Sequence, residues 1–338
     1  MKIICVADAF VTPGMMEEGV RPRLMSGDVM QVFFFGYRER AAMRDLVKTI
    51  ESRRIDDLEL PEGLLDAIKD AELLITHLCP ANKRLIAAAG SLKAIMSCRG
   101  GLENIDIPAA TEKGIIVSNN PAHNANGVAE FTIGLILSET RNIARADAAL
   151  KRGEWRKVYP NTATTIKELC DCMVGIIGFG TIGRLVAERL SVFGCGILVY
   201  DPYAERKDGP YYCFTSKEDL LRRSDIVTLH ARANGVIMGE EEFAMMKPNS
   251  YLINSARSYL VDPAAFRKAM DSGKLLGAAF DVFESEPDIP EFYRRYDNVT
   301  LTNHRAGDTI ESYSKAPEFA INNYLGYLEG RPLRFKVN

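Results

Sequence analysis

Apolar positions along the chain fall into two alternating textures. Short runs in which nearly every residue is apolar lie at 3–7, 71–76, 94–97 and 115–118. Stretches in which apolar residues recur every third or fourth position lie at 39–51, 63–69, 85–89 and 106–113. The first texture predicts strands and the second amphipathic helices. A strand that is apolar at consecutive positions is covered on both faces, which is the situation of a parallel sheet between helices. The same alternation resumes past 172, with strands expected over 174–177, 197–200, 226–230, 251–254, 277–281 and 299–302. Helices are expected between them over 182–194, 217–222, 240–246 and 263–272. Strand and helix in strict alternation imply an α/β fold with two doubly wound parallel sheets.

Two further segments connect or close these blocks. Residues 127–150 are apolar on more than one side (Val128, Phe131, Ile133, Leu135, Ile136, Leu137), the mark of a helix that is buried or packed on a partner. They are expected to form one long helix that bridges two domains and contributes to a dimer interface. Residues 309–328 carry an amphipathic helical pattern, and 335–338 are expected to return to the first domain.

The most informative stretch is 173–201. A strand there feeds Gly178-Phe179-Gly180-Thr181-Ile182-Gly183, a helix follows, and a second strand stops at Asp201. In a G-x-G-x-x-G turn the first glycine permits the tight bend, the second lets the backbone approach a pyrophosphate, and the third lets helix and strand pack closely. The free N–H groups and positive dipole end of the helix suit phosphates. A carboxylate at the end of the second strand suits the adenosine ribose hydroxyls. Gly178, Gly180, Thr181, Ile182, Gly183 and Asp201 are therefore expected to bind a dinucleotide. Asp201 would repel a 2′-phosphate, which favours NAD over NADP, although Arg206 and Lys207 follow closely.

Composition narrows the class. The chain has 338 residues, 47% hydrophobic and 26% charged, with a net charge of −3. That gives no bulk basic field for nucleic acid or an anionic membrane. No apolar run approaches the ~20 residues of a membrane span. The N-terminus reads as a first strand rather than a signal peptide. The seven cysteines are scattered without a C-x-x-C pair or histidine at zinc spacing. Reduced thiols, a cytoplasmic location and no metal are expected.

Three residues at strand ends in the second block carry reactive chemistry. Arg257 follows Asn254-Ser255-Ala256, Glu286 lies in the loop after Asp281, and His304 follows Leu301-Thr302-Asn303. Arginine pairs bidentately with a carboxylate and polarises a neighbouring carbonyl. Histidine exchanges protons near neutral pH, and a carboxylate beside it orients the ring. With these residues in place, the chain resembles the D-isomer-specific 2-hydroxyacid dehydrogenases. The matching segments are Glu103-Asn104-Ile105-Asp106, Asn119-Asn120-Pro121, Val128-Ala129-Glu130, 175–183, Tyr200-Asp201-Pro202, Leu229-His230, Asn254-Ser255-Ala256-Arg257, 281–287 and Thr302-Asn303-His304, in family order.

The resemblance implies an NAD-dependent oxidoreductase that moves a hydride between nicotinamide and a D-2-hydroxyacid or its 2-keto form. It implies two Rossmann-like domains, a discontinuous substrate domain formed by 1–120 and 305–338, an NAD-binding domain formed by 121–304, and a homodimer. Arg257 would bind the substrate carboxylate and carbonyl, His304 would exchange the proton, and Glu286 would raise the basicity of His304. Asp281 would hold the nicotinamide carboxamide, with His230 and Ala256 also beside the cofactor. Asn119, Gly100, Gly101 and His77 would wall the substrate.

Departures from the family pattern carry the specificity question. Asn303 and Arg232 stand where proline is usual, Arg305 where an apolar residue is common, and Arg99 at a glycine position. Arg99 or Arg305 is a candidate reader of a hydroxyl or phosphate on a larger acid. His77 and His123 lie in loops that could face substrate. Phosphoglycerate, glycerate or hydroxypyruvate and sugar-derived acids are the candidate substrates. Formate is disfavoured, as is a full-length allosteric phosphoglycerate dehydrogenase, because no regulatory domain follows residue 338. An NAD(H)-sensing corepressor-like protein on the same scaffold is the alternative.

Overall fold

The first strand, β1 (Lys2–Ala7), shows why its sequence is apolar without interruption. Ile4 and Val6 pack into one buried cluster and Ile3, Cys5 and Ala7 into another, on opposite faces of the same sheet. The chain is seen in a computed structural model that describes residues 1–52, 54–159 and 167–338. It divides into two compact units, Met1–Asn124 with Thr309–Asn338, and Ala125–Asp308.

In the first unit β1 is joined by β2 (Val29–Phe34), β3 (Leu73–Thr76), β4 (Ala94–Ser97) and β5 (Ile116–Ser118). All pairings are parallel, in the order β2-β1-β3-β4-β5. The order reverses between β1 and β3. Helix Ala316–Leu328 covers one face through Ala316, Ala320, Ile321 and Tyr324. The chain end does return to this sheet: Val337 N donates to Val117 O at 2.9 Å, and Val117 N donates to Asn338 Oδ1 at 2.7 Å.

In the second unit the strands are β6 (Met173–Ile177), β7 (Gly196–Tyr200), β8 (Cys213–Phe214), β9 (Ile226–Leu229), β10 (Ser250–Asn254), β11 (Leu275–Phe280) and β12 (Val299–Leu301). They run parallel in the order β12-β11-β10-β9-β6-β7-β8. The reversal point lies between β6 and β9, beside the glycine-rich turn. The α/β reading with doubly wound parallel sheets is borne out.

Some elements differ from the sequence expectations. The segment 127–150 is two helices, Ala125–Thr140 and Ile143–Lys151, not one. The break falls at Asn142, which adopts a left-handed φ of 58° and accepts a hydrogen bond from Arg145 through its side chain. Ala125–Thr140 lies wholly in the second unit, where Ala129, Ile133, Leu135 and Ile136 join a core cluster with Val174, Ile176, Val186 and Leu190. Its all-round apolarity reflects burial within that unit. The segment 309–328 is likewise divided, into Ile310–Ser314 and Ala316–Leu328, with Pro317 near the second start.

Helix Pro13–Val20 and strands β2 and β8 were not anticipated. Pro13 and Gly14 look like a breaker pair, but Pro13 sits at the helix start, where its missing N–H costs nothing, and the Thr12 hydroxyl caps Met15 N. β2 and β8 are partly exposed edge strands; β2 carries an apolar run broken only by Gln31, whereas β8 is just two residues long and leaves no pattern.

Candidate active site

The turn after β6 is built around steric necessity. Gly178 has φ +94°, and a Cβ there would overlap the backbone of His230 and Ala231. A Cβ on Gly183 would overlap the carbonyl oxygen of Gly178. Gly180, by contrast, faces open space, and as N-cap of helix Thr181–Ser191 it offers no side chain to the first N–H groups. An open, uncapped helix start beyond a doubly wound sheet fits a pyrophosphate.

Asp201, at the end of β7, accepts from Phe179 N at 2.7 Å through Oδ2, and from Tyr203 N and Ala204 N at 2.8 and 3.2 Å through Oδ1. It therefore braces the glycine loop itself, leaving little capacity beyond one further acceptor site. His230, at the end of β9, shares a hydrogen bond with Thr228 Oγ1 at 3.0 Å, and burial holds its pKa down to about 3, so the ring is neutral.

Loops after β10, β11 and β12 stand side by side because those strands are neighbours. Asn254 clamps the first: its side chain accepts from Ala256 N and donates to Arg257 O, presenting the Arg257 guanidinium outward. Arg257 donates to Ala256 O at 2.7 Å and meets no carboxylate among the described residues. Asp281 N donates to Asn254 O at 3.0 Å, tying the second loop to the first.

His304 Nδ1 donates to Glu286 Oε2 at 2.8 Å, and the other Glu286 oxygen accepts from Phe283 N at 2.9 Å. Nε2 of His304 is thereby left for another partner, on a side chain that is 57% exposed. His304 has a left-handed φ of 53°, a strained backbone for a residue with a side chain. The loop that holds it is anchored by Asp281, whose fully buried carboxylate accepts from Thr302 Oγ1 at 2.6 Å, Arg305 N at 2.9 Å and Ala306 N at 2.8 Å. The sequence reading had not anticipated this anchoring role.

In the first unit the sequence-selected loops also converge. Asn119 Nδ2 donates to Gly100 O at 2.6 Å, and Asn120 N donates to Arg99 O at 3.0 Å. Asn104 is fully buried and donates to the carbonyls of His77 and Cys79, fixing the loop after β3. Asp106 caps Ala109 N, so the Glu103-to-Asp106 motif is structural at two of its positions.

Arg99 is not a free surface cation. It is 14% exposed and lies 3.4 Å from Glu103 and 3.7 Å from Glu51, with Nη1 buried and unpartnered among the described residues. Arg305 is exposed and 3.6 Å from Asp308. His123 donates from Nδ1 to Asn120 O at 2.9 Å, and burial lowers its pKa to about 4.

His77 is buried, and its Nδ1 donates to Asp8 Oδ2 at 2.8 Å. Burial raises the Asp8 pKa, but the charge and hydrogen bond of His77 and the N–H groups of Val11 and Phe10 outweigh it and hold the carboxyl below its ordinary value. Asp8 stands at the end of β1 as Asp201 stands at the end of β7. That parallel was the only trace of it in the sequence.

Residues 133–306 match the model of the D-isomer specific 2-hydroxyacid dehydrogenase NAD binding domain. A glyoxylate reductase of Thermofilum pendens is 39% identical over 279 residues, covering 80% of this chain and 82% of that protein. The chain belongs to the D-isomer-specific 2-hydroxyacid dehydrogenases.

A D-3-phosphoglycerate dehydrogenase of Methanocaldococcus jannaschii is 36% identical over 307 residues, covering 87% of this chain but 57% of that longer protein. The solved structure of a D-2-hydroxyisocaproate dehydrogenase superimposes with a TM-score of 0.77 at 25% identity, covering 100% of this chain and 99% of that one. The protein is thus an NAD-dependent oxidoreductase of this family. No helix among the described residues is long and apolar enough to cross a membrane.

Proposed function

We propose that this dehydrogenase reduces a short 2-keto acid to the D-2-hydroxyacid, or runs the reverse, with Arg257, Glu286 and His304 as its working residues. The observation that carries the reading is the 2.8 Å Glu286–His304 pair, on a loop pinned by Asp281 at the carboxyl ends of neighbouring strands. Bound NADH supplies the hydride. Arg257 forks onto the substrate carboxylate and polarises the keto oxygen. His304 gives its Nε2 proton to that oxygen as the keto carbon takes the hydride, and takes the proton back in oxidation. Glu286 fixes the ring so that Nε2 faces the reaction. Gly178, Gly180, Thr181, Ile182 and Gly183 hold the dinucleotide phosphates, Asp201 reaches the ribose, and His230, Ala256 and Asp281 lie along the nicotinamide half.

Glyoxylate and phosphohydroxypyruvate, in keeping with the names of two relatives, together with hydroxypyruvate and sugar-derived 2-keto acids, are the substrates to test. Asn119, Gly100, Gly101, His77 and Arg99 form the substrate wall. NADH oxidation by purified protein against that panel, with NADPH in parallel, tests the reading. Reduction of at least one acid with NADH preferred supports it. Tight NADH binding with no acid reduced points instead to a nucleotide sensor.

The functional molecule is a homodimer. Support comes from exposed apolar side chains close together in sequence, Ile143, Leu150, Trp155 and Val158, the last two 78% and 76% exposed. Light scattering that gives a monomer mass at micromolar concentration would sink this part. Unpaired thiols at all seven cysteines fit the reducing cytoplasm.

A further inference from the structure

Helix Ala125–Thr140 packs its buried face on the second sheet, where Ala129, Ile133 and Ile136 join Ile253 and Ala279 in one apolar cluster. Thr132 lies on that face, one turn from both Ala129 and Ile136, and is fully buried. Valine would fill the same space without a polar atom. A hydroxyl buried among apolar side chains is tolerated only when it is hydrogen-bonded.

Thr132 has two partners. Its Oγ1 donates to Val128 O at 2.8 Å, one helical turn back, and lies 2.9 Å from Ser255 Oγ. A hydroxyl carries a single hydrogen. Thr132 gives its own to Val128 O, so Ser255 is the donor of the pair. The opposite direction would strand the Ser255 hydrogen on a buried side chain, since it has no other acceptor among the described residues. The relay therefore runs from Ser255 through Thr132 to the helix backbone.

Ser255 stands in the loop after β10, two residues before Arg257. The other side-chain bonds of that loop are local. Asn254 holds Ala256 N at 3.0 Å and Arg257 O at 2.9 Å, which closes the turn on itself. Arg257 Nη1 turns back onto Ala256 O. The bond from Asp281 N reaches only Asn254 O, at the strand end. Among the described side-chain hydrogen bonds of residues 254–257, only that of Ser255 leaves the turn, to a helix position 123 residues away in sequence. The Arg257 guanidinium has no carboxylate among the described residues to hold it, so its place follows from its backbone.

We infer that Thr132 and Ser255 are positioning residues for Arg257: their hydroxyl pair fixes the 254–257 turn on helix Ala125–Thr140, and with it the place where the guanidinium meets the substrate carboxylate. The inference rests on the reading of Arg257 above and assigns two residues that this reading does not use. A planar fork pairs bidentately only in a narrow range of orientations, so a turn that shifts loses carboxylate binding first.

The test is a double-mutant cycle, read by steady-state NADH oxidation with the preferred 2-keto acid. Thr132→Val keeps the volume and removes the oxygen. It should raise KM about tenfold, lower kcat by less than about threefold and leave NADH affinity within about twofold of wild type. Thr132→Ser keeps the oxygen and should stay within about threefold of the wild-type KM. Ser255→Ala breaks the same bond from the loop side and leaves the helix untouched. It should repeat the Thr132→Val result, with the fold of each variant checked by near-ultraviolet circular dichroism. In an Arg257→Ala background, Thr132→Val should change kcat/KM by less than about twofold, because the group it positions is gone. A KM unmoved by Thr132→Val and Ser255→Ala overturns the inference. So does a loss that persists undiminished in the Arg257→Ala background, which marks a general structural effect. Both of these results leave the reading of Arg257 standing. An Arg257→Ala enzyme that reduces keto acids as the wild type does overturns that reading and this inference with it.

Discussion

Replacing Asp281 by asparagine keeps the size of the side chain and removes one acceptor. The carboxylate receives hydrogen bonds from Thr302 Oγ1, Arg305 N and Ala306 N at 2.6, 2.9 and 2.8 Å. An amide has a single acceptor oxygen, so its NH2 must face a donor whichever way it turns. The cheaper orientation keeps Thr302 and Arg305 and loses Ala306. One charge-assisted bond is worth about 1.5–3 kcal/mol, and stranding a buried N–H costs about 1–3 kcal/mol. Ala306 is 4% exposed, so water cannot replace the lost acceptor. Counting the shared part once, the variant should lose about 2–4 kcal/mol of stability.

That loss is comparable to the strain of about 1–3 kcal/mol that a left-handed non-glycine backbone stores. His304, two residues before Ala306, is therefore expected to relax away from its φ of 53° and drift from Glu286. A displacement near 1 Å costs on the order of 100-fold in rate. Urea unfolding, kcat and NADH binding by fluorescence read the three consequences separately. Stability should fall by about 2–4 kcal/mol and kcat by roughly 100-fold, with NADH affinity within about threefold of wild type. An Asp281→Asn enzyme with wild-type kcat and stability refutes the anchoring argument. A loss confined to NADH affinity means Asp281 acts through the nicotinamide instead.

Other predictions are briefer. Arg257→Ala should cut kcat/KM for keto acids by roughly 1,000-fold or more, with NADH affinity kept, because on the proposed reading the lost group binds the substrate carboxylate, and it is exposed with no carboxylate partner among the described residues. Loss of NADH binding would mean the residue is mis-assigned. Asp201→Ala should loosen the glycine loop and remove the proposed ribose contact, lowering the NADH-to-NADPH preference by about tenfold or more. An unchanged preference would contradict it.

Stability should also respond to pH through Glu139. Burial outweighs its contacts with Arg145 and Thr300 and raises its pKa to about 7. A carboxyl raised in the folded state stabilises when protonated, so its contribution is present at about pH 4 and lost as pH climbs through 7. Glu139→Gln should flatten that decline in urea midpoints; an identical slope in both proteins would show that the group does not titrate there.

The glycine turn was legible because its constraints are local. Gly178 and Gly183 answer to atoms within a few residues of the turn and to one neighbouring strand end. Strands buried on both faces were legible for the same reason, since continuous apolarity leaves few alternatives. The helix break at Asn142 was not, because it is set by Arg145, which also reaches Glu139 and the carbonyl of Asp297. No periodicity encodes such a network. Asp8 with His77 is a similar case: the partners are 69 positions apart, and only the β1–β3 pairing brings them together. Arg99 reads in sequence as a free cation at a glycine position; its carboxylate neighbours appear only once the loop is folded.

The most direct test of the central claim is a single-turnover reaction of the enzyme–NADH complex with its preferred 2-keto acid, in wild type and His304→Gln. If His304 is the proton donor, the variant should bind NADH as wild type does and transfer hydride at least about 100-fold more slowly. Equal rates in the two proteins would contradict the assignment of His304 and the mechanism built on it.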